Sequence, residues 1–126
     1  VKTILIIEDD AAISTMLADL LSDVGYGVRT AANGREGIAA LAEGLPALIL
    51  CDVMMPILDG RAVCRHLQTT PRYQAIPLVM MSAGMISLHE CHAHAYLAKP
   101  FDILAVLALI QRLIGAPDIV SDKQPT

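Results

Sequence analysis

The chain has 126 residues, a formal net charge of −4 and a 55% hydrophobic content with three Tyr, one Phe and no Trp. That length makes one domain with an aliphatic core that needs neither disulfides nor a structural metal. The apolar residues fall in short runs broken by Asp, Gly and Pro, none near the ~18 of a membrane span; no signal-peptide layout opens the chain, and no Lys/Arg run marks a direct nucleic-acid surface. Cys51, Cys64 and Cys91 are odd in number and scattered, so they read as reduced thiols of a cytoplasmic protein.

Ile4, Leu5, Ile6 and Ile7 lead into Glu8 and Asp9, which predicts a first strand over residues 3–8. Asp10 caps the helix that follows, whose apolar stripe is Ile13, Met16, Leu17, Leu20, Leu21 and Val24. Gly25 ends it, a short second strand covers 27–31, and Asn33-Gly34 turns the chain. A second helix with Ile38, Leu41 and Ala42 inward reaches Gly44. After Pro46 a third strand, 47–52, closes on Asp52; the loop VMMPILDG then leads into a third helix over 60–69, with Val63 and Leu67 inward. Pro77 opens a fourth strand that ends at Ser82. The stretch 83–94 has few apolar anchors and predicts a shortened, mobile fourth helix. Residues 95–98 form a fifth strand, Lys99-Pro100 a turn, and 102–114 a fifth helix with Ile103, Val106, Leu107, Ile110 and Ile114 inward. The expected domain is 1–115, and 116–126 is expected to be a flexible tail or the start of a linker.

Strands apolar on both faces, alternating with helices, predict an open parallel sheet covered on both sides. Ligands gather at the carboxyl ends of such strands. Glu8, Asp9 and Asp52 therefore share one mouth, where two like charges ~5 Å apart repel by roughly 3 kcal/mol at an effective dielectric of ~20. A hard cation held by oxygen relieves this, and Mg²⁺ suits a small carboxylate cluster that leaves room for a phosphate. Neither a glycine-rich dinucleotide fingerprint nor a P-loop is present.

Four motifs stand in order at strand ends: Glu8-Asp9, Asp52 in CDVMMPILDG, Ser82 in MMSAG, and Lys99 in YLAKPF. Together they resemble the receiver domain of two-component response regulators, over residues 2 to about 115. The resemblance implies a flavodoxin-like, doubly wound sheet of five parallel strands in the order 2-1-3-4-5. It implies a signalling switch rather than a turnover enzyme, with Asp52 accepting a phosphoryl group from a histidine kinase or phosphotransfer protein. By the same resemblance Mg²⁺ is held by Asp9, Asp52 and the Met54 carbonyl, with Glu8 acting mostly through water. Lys99 and Ser82 contact the phosphoryl group, Ser82 and Tyr96 form the switch pair, and Lys99-Pro100 is cis. Met54 and Gly84 border the attacking water without a side-chain hydrogen bond to orient it, which predicts slow autodephosphorylation.

The interval from Ser82 to Lys99 is shorter than receivers usually have, which shifts the expected partner or homodimer face to the fifth strand and fifth helix, where Leu104 and Leu109 extend the apolar stripe. His89, Glu90, Cys91, His92 and His94 crowd one stretch without the usual metal-ligand spacing. Two other readings stay open. One is a pseudo-receiver that binds partners without phosphorylation. The other is an aspartyl phosphatase of the haloacid dehalogenase type, against which the first-strand segment reads E-D-D rather than D-x-D.

Overall fold

The five expected strands form: β1 (Thr3–Ile7), β2 (Gly27–Ala31), β3 (Leu48–Asp52), β4 (Leu78–Ser82) and β5 (Ala95–Ala98). The computed structural model describes residues 1–83 and 92–118. The strands form one parallel sheet in the order β2-β1-β3-β4-β5. β3 and β4 are buried along their whole length, as strands covered on both faces must be.

The helices are α1 (Ala11–Asp23), α2 (Gly34–Glu43), α3 (Gly60–Thr69) and α4 (Ile103–Ile114), with a short 3₁₀ turn at Pro71–Tyr73 that the sequence pattern did not reveal. Each begins at a polar cap. Asp10 accepts from the amides of Ala12 (2.9 Å) and Ile13 (3.3 Å), and Asp59 and Asp102 cap α3 and α4 in the same way. Asn33, expected in a turn, instead caps α2: it accepts from the Glu36 amide while the Glu36 carboxylate accepts from the Ala32 amide, a reciprocal capping pair.

Side-chain alternation along β1 splits the interior into two clusters. Leu5 and Ile7 pack with Leu41 of α2 and Val63, Cys64 and Leu67 of α3. Ile4 and Ile6 pack with Leu17 and Leu21 of α1 and Val106 and Ile110 of α4. So α2 and α3 cover one face, and α1 and α4 the other. Several stripe residues lie outside this burial: Met16, Val24 and Ile103 are exposed, and on α2 it is Gly37, not Ala42, that turns inward. At Gly37 the Ile7 side chain occupies the space a Cβ would need.

The shortened fourth helix expected over 83–94, with Gly84, His89, Glu90 and Cys91, falls almost wholly on 84–91, outside the described residues. Cys51 is free and buried. Cys64, expected to be a reduced thiol, is disulfide-bonded; spacing along the chain does not report the approach that decides pairing. Among the described residues no helix is long and apolar enough to cross a membrane.

Candidate functional site

β1 and β3 are neighbours, but the chain between them detours through β2 at the sheet edge. The connection out of β1 runs one way and that out of β3 the other, which leaves a crevice at their carboxyl ends. Glu8 and Asp9 follow β1, and Asp52 ends β3. One carboxylate oxygen from each of the three lies within 4.8 Å of the others. At that separation a pair of full charges repels by roughly 3.5 kcal/mol at an effective dielectric of ~20. Glu8 and Asp52 are buried and Asp9 is exposed, so the cluster has a closed floor and an open rim.

One cation enters from the other side of the sheet. Lys99, just after β5, places its Nζ 2.7 Å from Glu8 Oε1 and 3.3 Å from Asp52 Oδ2. Its backbone amide donates to the Ser82 carbonyl (2.8 Å), and the bond to Pro100 is cis. Burial pushes the Glu8 carboxyl up to about 7, opposed by hydrogen bonds from Lys99 and from the Asp10 amide. Burial would lower the Lys99 ammonium, but the Glu8 hydrogen bond and the Asp52 charge outweigh it and leave it raised.

The donors present fit Mg²⁺: three carboxylates at one mouth, two of them buried and paired with Lys99. Oxygen-only ligation and an open rim for water match that ion's preference.

Asp52, Ser82, Lys99 and Met54 line one cavity of about 330 Å³. Ser82 is buried at the end of β4, and the Met54 side chain is exposed at the cavity's edge. Tyr96 pairs with Met80, one same-face step before the Ser82–Ala98 level. It is half-buried, packs against the α2–α3 side of the core, and its hydroxyl accepts from the Ala93 amide (3.2 Å). Of the residues read from the sequence, Glu8, Asp9, Asp52, Ser82, Lys99 and Met54 thus converge on the mouth, while Tyr96 stands beneath it. His92 and His94 lie elsewhere, at the opposite end of β4, where His94 Nδ1 accepts from the Leu78 amide (3.0 Å).

The family model for the response regulator receiver domain matches residues 4–111. The chain belongs to that family. The receiver is 38% identical over 120 residues to the DNA-binding dual master transcriptional regulator RpaA of Synechocystis, covering 91% of this chain and 50% of RpaA; it thus spans about half of that relative's length. Among solved structures it is similar to the receiver domain of a signal transduction histidine kinase from Syntrophus aciditrophicus, at TM-score 0.84 and 29% identity, covering 100% of this chain and 95% of that one. It is likewise similar to the receiver domain of the sensor histidine kinase PA1611 of Pseudomonas aeruginosa PAO1, at TM-score 0.83 and 27% identity over 91% and 98% of the two chains. That structure has a magnesium ion coordinated in its active-site cleft.

One residue that sequence reading passed over also lines the receiver's cavity. Arg61, in the first turn of α3, shares the wall with Asp52, Ser82 and Lys99. The only signal in the sequence is its place directly after Asp59-Gly60, at the far end of the loop that Asp52 begins.

Proposed function

We propose that this receiver is a phosphorylation-dependent switch whose acceptor is Asp52. The observation that carries the reading is Lys99 Nζ held between Glu8 and Asp52, at 2.7 and 3.3 Å, two members of the carboxylate cluster that Asp9 completes. A carboxylate oxygen of Asp52 attacks the phosphorus of a phosphohistidine on a histidine kinase or phosphotransfer protein. The phosphorus–nitrogen bond breaks and its electron pair leaves with the imidazole. Such transfer depends on positioning and charge compensation more than on further covalent help.

Asp9, Asp52 and the Met54 carbonyl would hold Mg²⁺, with Glu8 acting through water. When bound, the ion supplies charge neutralisation for the phosphoryl oxygens. Lys99 offers them a point charge, and the Ser82 hydroxyl donates a hydrogen bond once the group has arrived. Ser82 and Tyr96 form the switch. With Met54 beside the acceptor offering no side-chain hydrogen bond to water, the phosphoryl group hydrolyses slowly, and the domain signals rather than turns over substrate.

The receiver unit is read as 1–115; of the segment read as a tail or linker start, Ala116 and Asp118 still contact Lys2. An apolar recess beside Lys99, lined by Ile13, Met16, Ala83, Pro100 and Phe101, suits the phosphodonor protein. Ile103 and Leu104, exposed at the start of α4, support a self-association face on β5 and α4. The net charge of −4 supports placing any DNA contact outside this domain, and membership of the receiver family favours the cytoplasm. Retention of both Asp52 and Lys99 favours this reading over a pseudo-receiver.

The test is labelling with a small phosphodonor and Mg²⁺, repeated on Asp52→Asn. Label on the parent and none on the variant is expected; equal labelling of the two would sink the assignment.

A further inference from the structure

The chain is not released where α4 ends. Gly115, at φ 82, turns it out of the helix in the left-handed conformation that favours glycine, with its amide still on the Gln111 carbonyl (2.8 Å). The residues that follow lie against Lys2 and Gly25. Those two stand just before β1 and β2, at the end of the sheet opposite the carboxylate mouth.

The contacts there are of different kinds. Tyr26 is buried among Leu17 and Leu21 of α1 and Val106 and Ile110 of α4. A buried phenol needs a hydrogen-bond partner, and its hydroxyl donates to the Gly115 carbonyl at 2.8 Å. The Lys2 ammonium donates to the Ala116 carbonyl at 2.7 Å, a charge-assisted bond. The Lys2 carbonyl meanwhile accepts from the Gly27 amide (2.8 Å), so one residue joins the exit to both β1 and β2. Pro117 rests on Gly25, where a Cβ would stand 3.1 Å from the Pro117 Cβ. Its ring fixes φ and lowers the entropy lost on ordering this segment. Asp118, 3.9 Å from Lys2 Nζ and half exposed, adds little.

We infer that residues 115–118 form a clasp on Tyr26, Gly25 and Lys2, which fixes the point and direction at which the chain leaves the receiver. A free tail would decouple the chain beyond it from any movement of α4. The clasp makes residues 115–118 part of one body with α4 and the start of β1, so a shift of α4 is carried into the exit. This does not depend on whether Asp52 accepts a phosphoryl group.

Nitrogen-relaxation order parameters at Ala116 and Asp118 test it. They are measured on the parent, on Lys2→Met and on the double variant Lys2→Met with Tyr26→Phe, with the Leu107 and Leu109 amides of α4 as reference. In the parent both values should match α4, near the ~0.85 of rigid backbone. The double variant keeps the apolar stem and ring but loses both bonds, and both values should fall below about 0.6 while α4 holds. Parent values already below about 0.6 would overturn the inference. So would values in the double variant that stay with α4. If the double variant loosens α4 as well, Lys2→Met decides, since the Lys2 side chain lies outside the core. A fall at Ala116 and Asp118 with α4 intact then supports the clasp, and no fall refutes it.

Discussion

Replacing Lys99 by methionine removes the cation between Glu8 and Asp52 while keeping most of the apolar stem. Burial already pushes Glu8 from an ordinary 4.5 to about 7, with Lys99 opposing that rise. A raised carboxyl means the folded state keeps a proton that the unfolded chain gives up. Its contribution is therefore fully present below pH 4.5 and is lost as pH climbs through 7. In the parent the loss stops a little above 7, since Glu8 is then ionised in both states. Without Lys99 the carboxyl keeps its proton to higher pH. The 2.7 Å attraction removed is roughly 6 kcal/mol at an effective dielectric of ~20, more than two pH units can overcome. The loss then continues at about 1.4 kcal/mol per pH unit. Relative to the parent, Lys99→Met should be about 3 kcal/mol worse at pH ~9 than at pH ~6, where Glu8 is protonated in both folded proteins. Urea unfolding followed by circular dichroism, in chelator and across that range, measures the difference. A destabilisation of equal size at both ends of the range would refute the reasoning.

Mg²⁺ should raise the parent's thermal midpoint by relieving the carboxylate cluster, and Asp9→Asn should abolish the increase; midpoints indifferent to Mg²⁺ in the parent count against the site. Gly60→Ala should cost about 1–3 kcal/mol in urea unfolding and slow labelling of Asp52. Its new Cβ meets the Asp52 carbonyl oxygen at 2.5 Å and Val53 Cα at 2.9 Å, backbone atoms that cannot rotate away. Cys51 should resist alkylation in the folded domain, because burial, with the Asp52 charge behind it, raises its thiol well above the usual range. Mass spectrometry should find it modified only as fast as the domain unfolds.

β1, β3 and β4 were legible as nearly unbroken aliphatic runs ended by a charge or a serine, and β5 as a short apolar run ended by a lysine. The same feature brought Glu8, Asp9, Asp52, Ser82 and Lys99 to one end of the sheet, since parallel strands all finish on the same side. Helix faces were read less well. A helical period marks a stripe but not how far the neighbouring layer reaches over it. Met16, Val24 and Ile103 fit the period yet lie where that cover runs out. Gly37 carries no hydropathy signal, although its missing side chain is what lets α2 seat on Ile7. Arg61 was unreadable for a related reason. Its place depends on how the loop after Asp52 curls, and that loop includes Ile57 at φ 71, a left-handed conformation no β-branched residue advertises.

The alternation along β1 has one more consequence. Ile4, Leu5, Ile6 and Ile7 are nearly interchangeable, and both faces of the strand meet apolar partners. Sliding the strand by one position would swap which cluster each side chain joins while leaving four aliphatics in greasy surroundings. Packing alone therefore specifies the register weakly. What resists the slide is polar: the Glu8 amide on the Ala31 carbonyl, the Glu8 carboxylate on Lys99 and the Asp10 amide, and Asp10 on the first turn of α1. The acidic residues at the mouth thus act as the alignment mark of the central strand. A charge-removing change there threatens not only the chemistry but the choice among sheets that the aliphatic residues would accept almost equally.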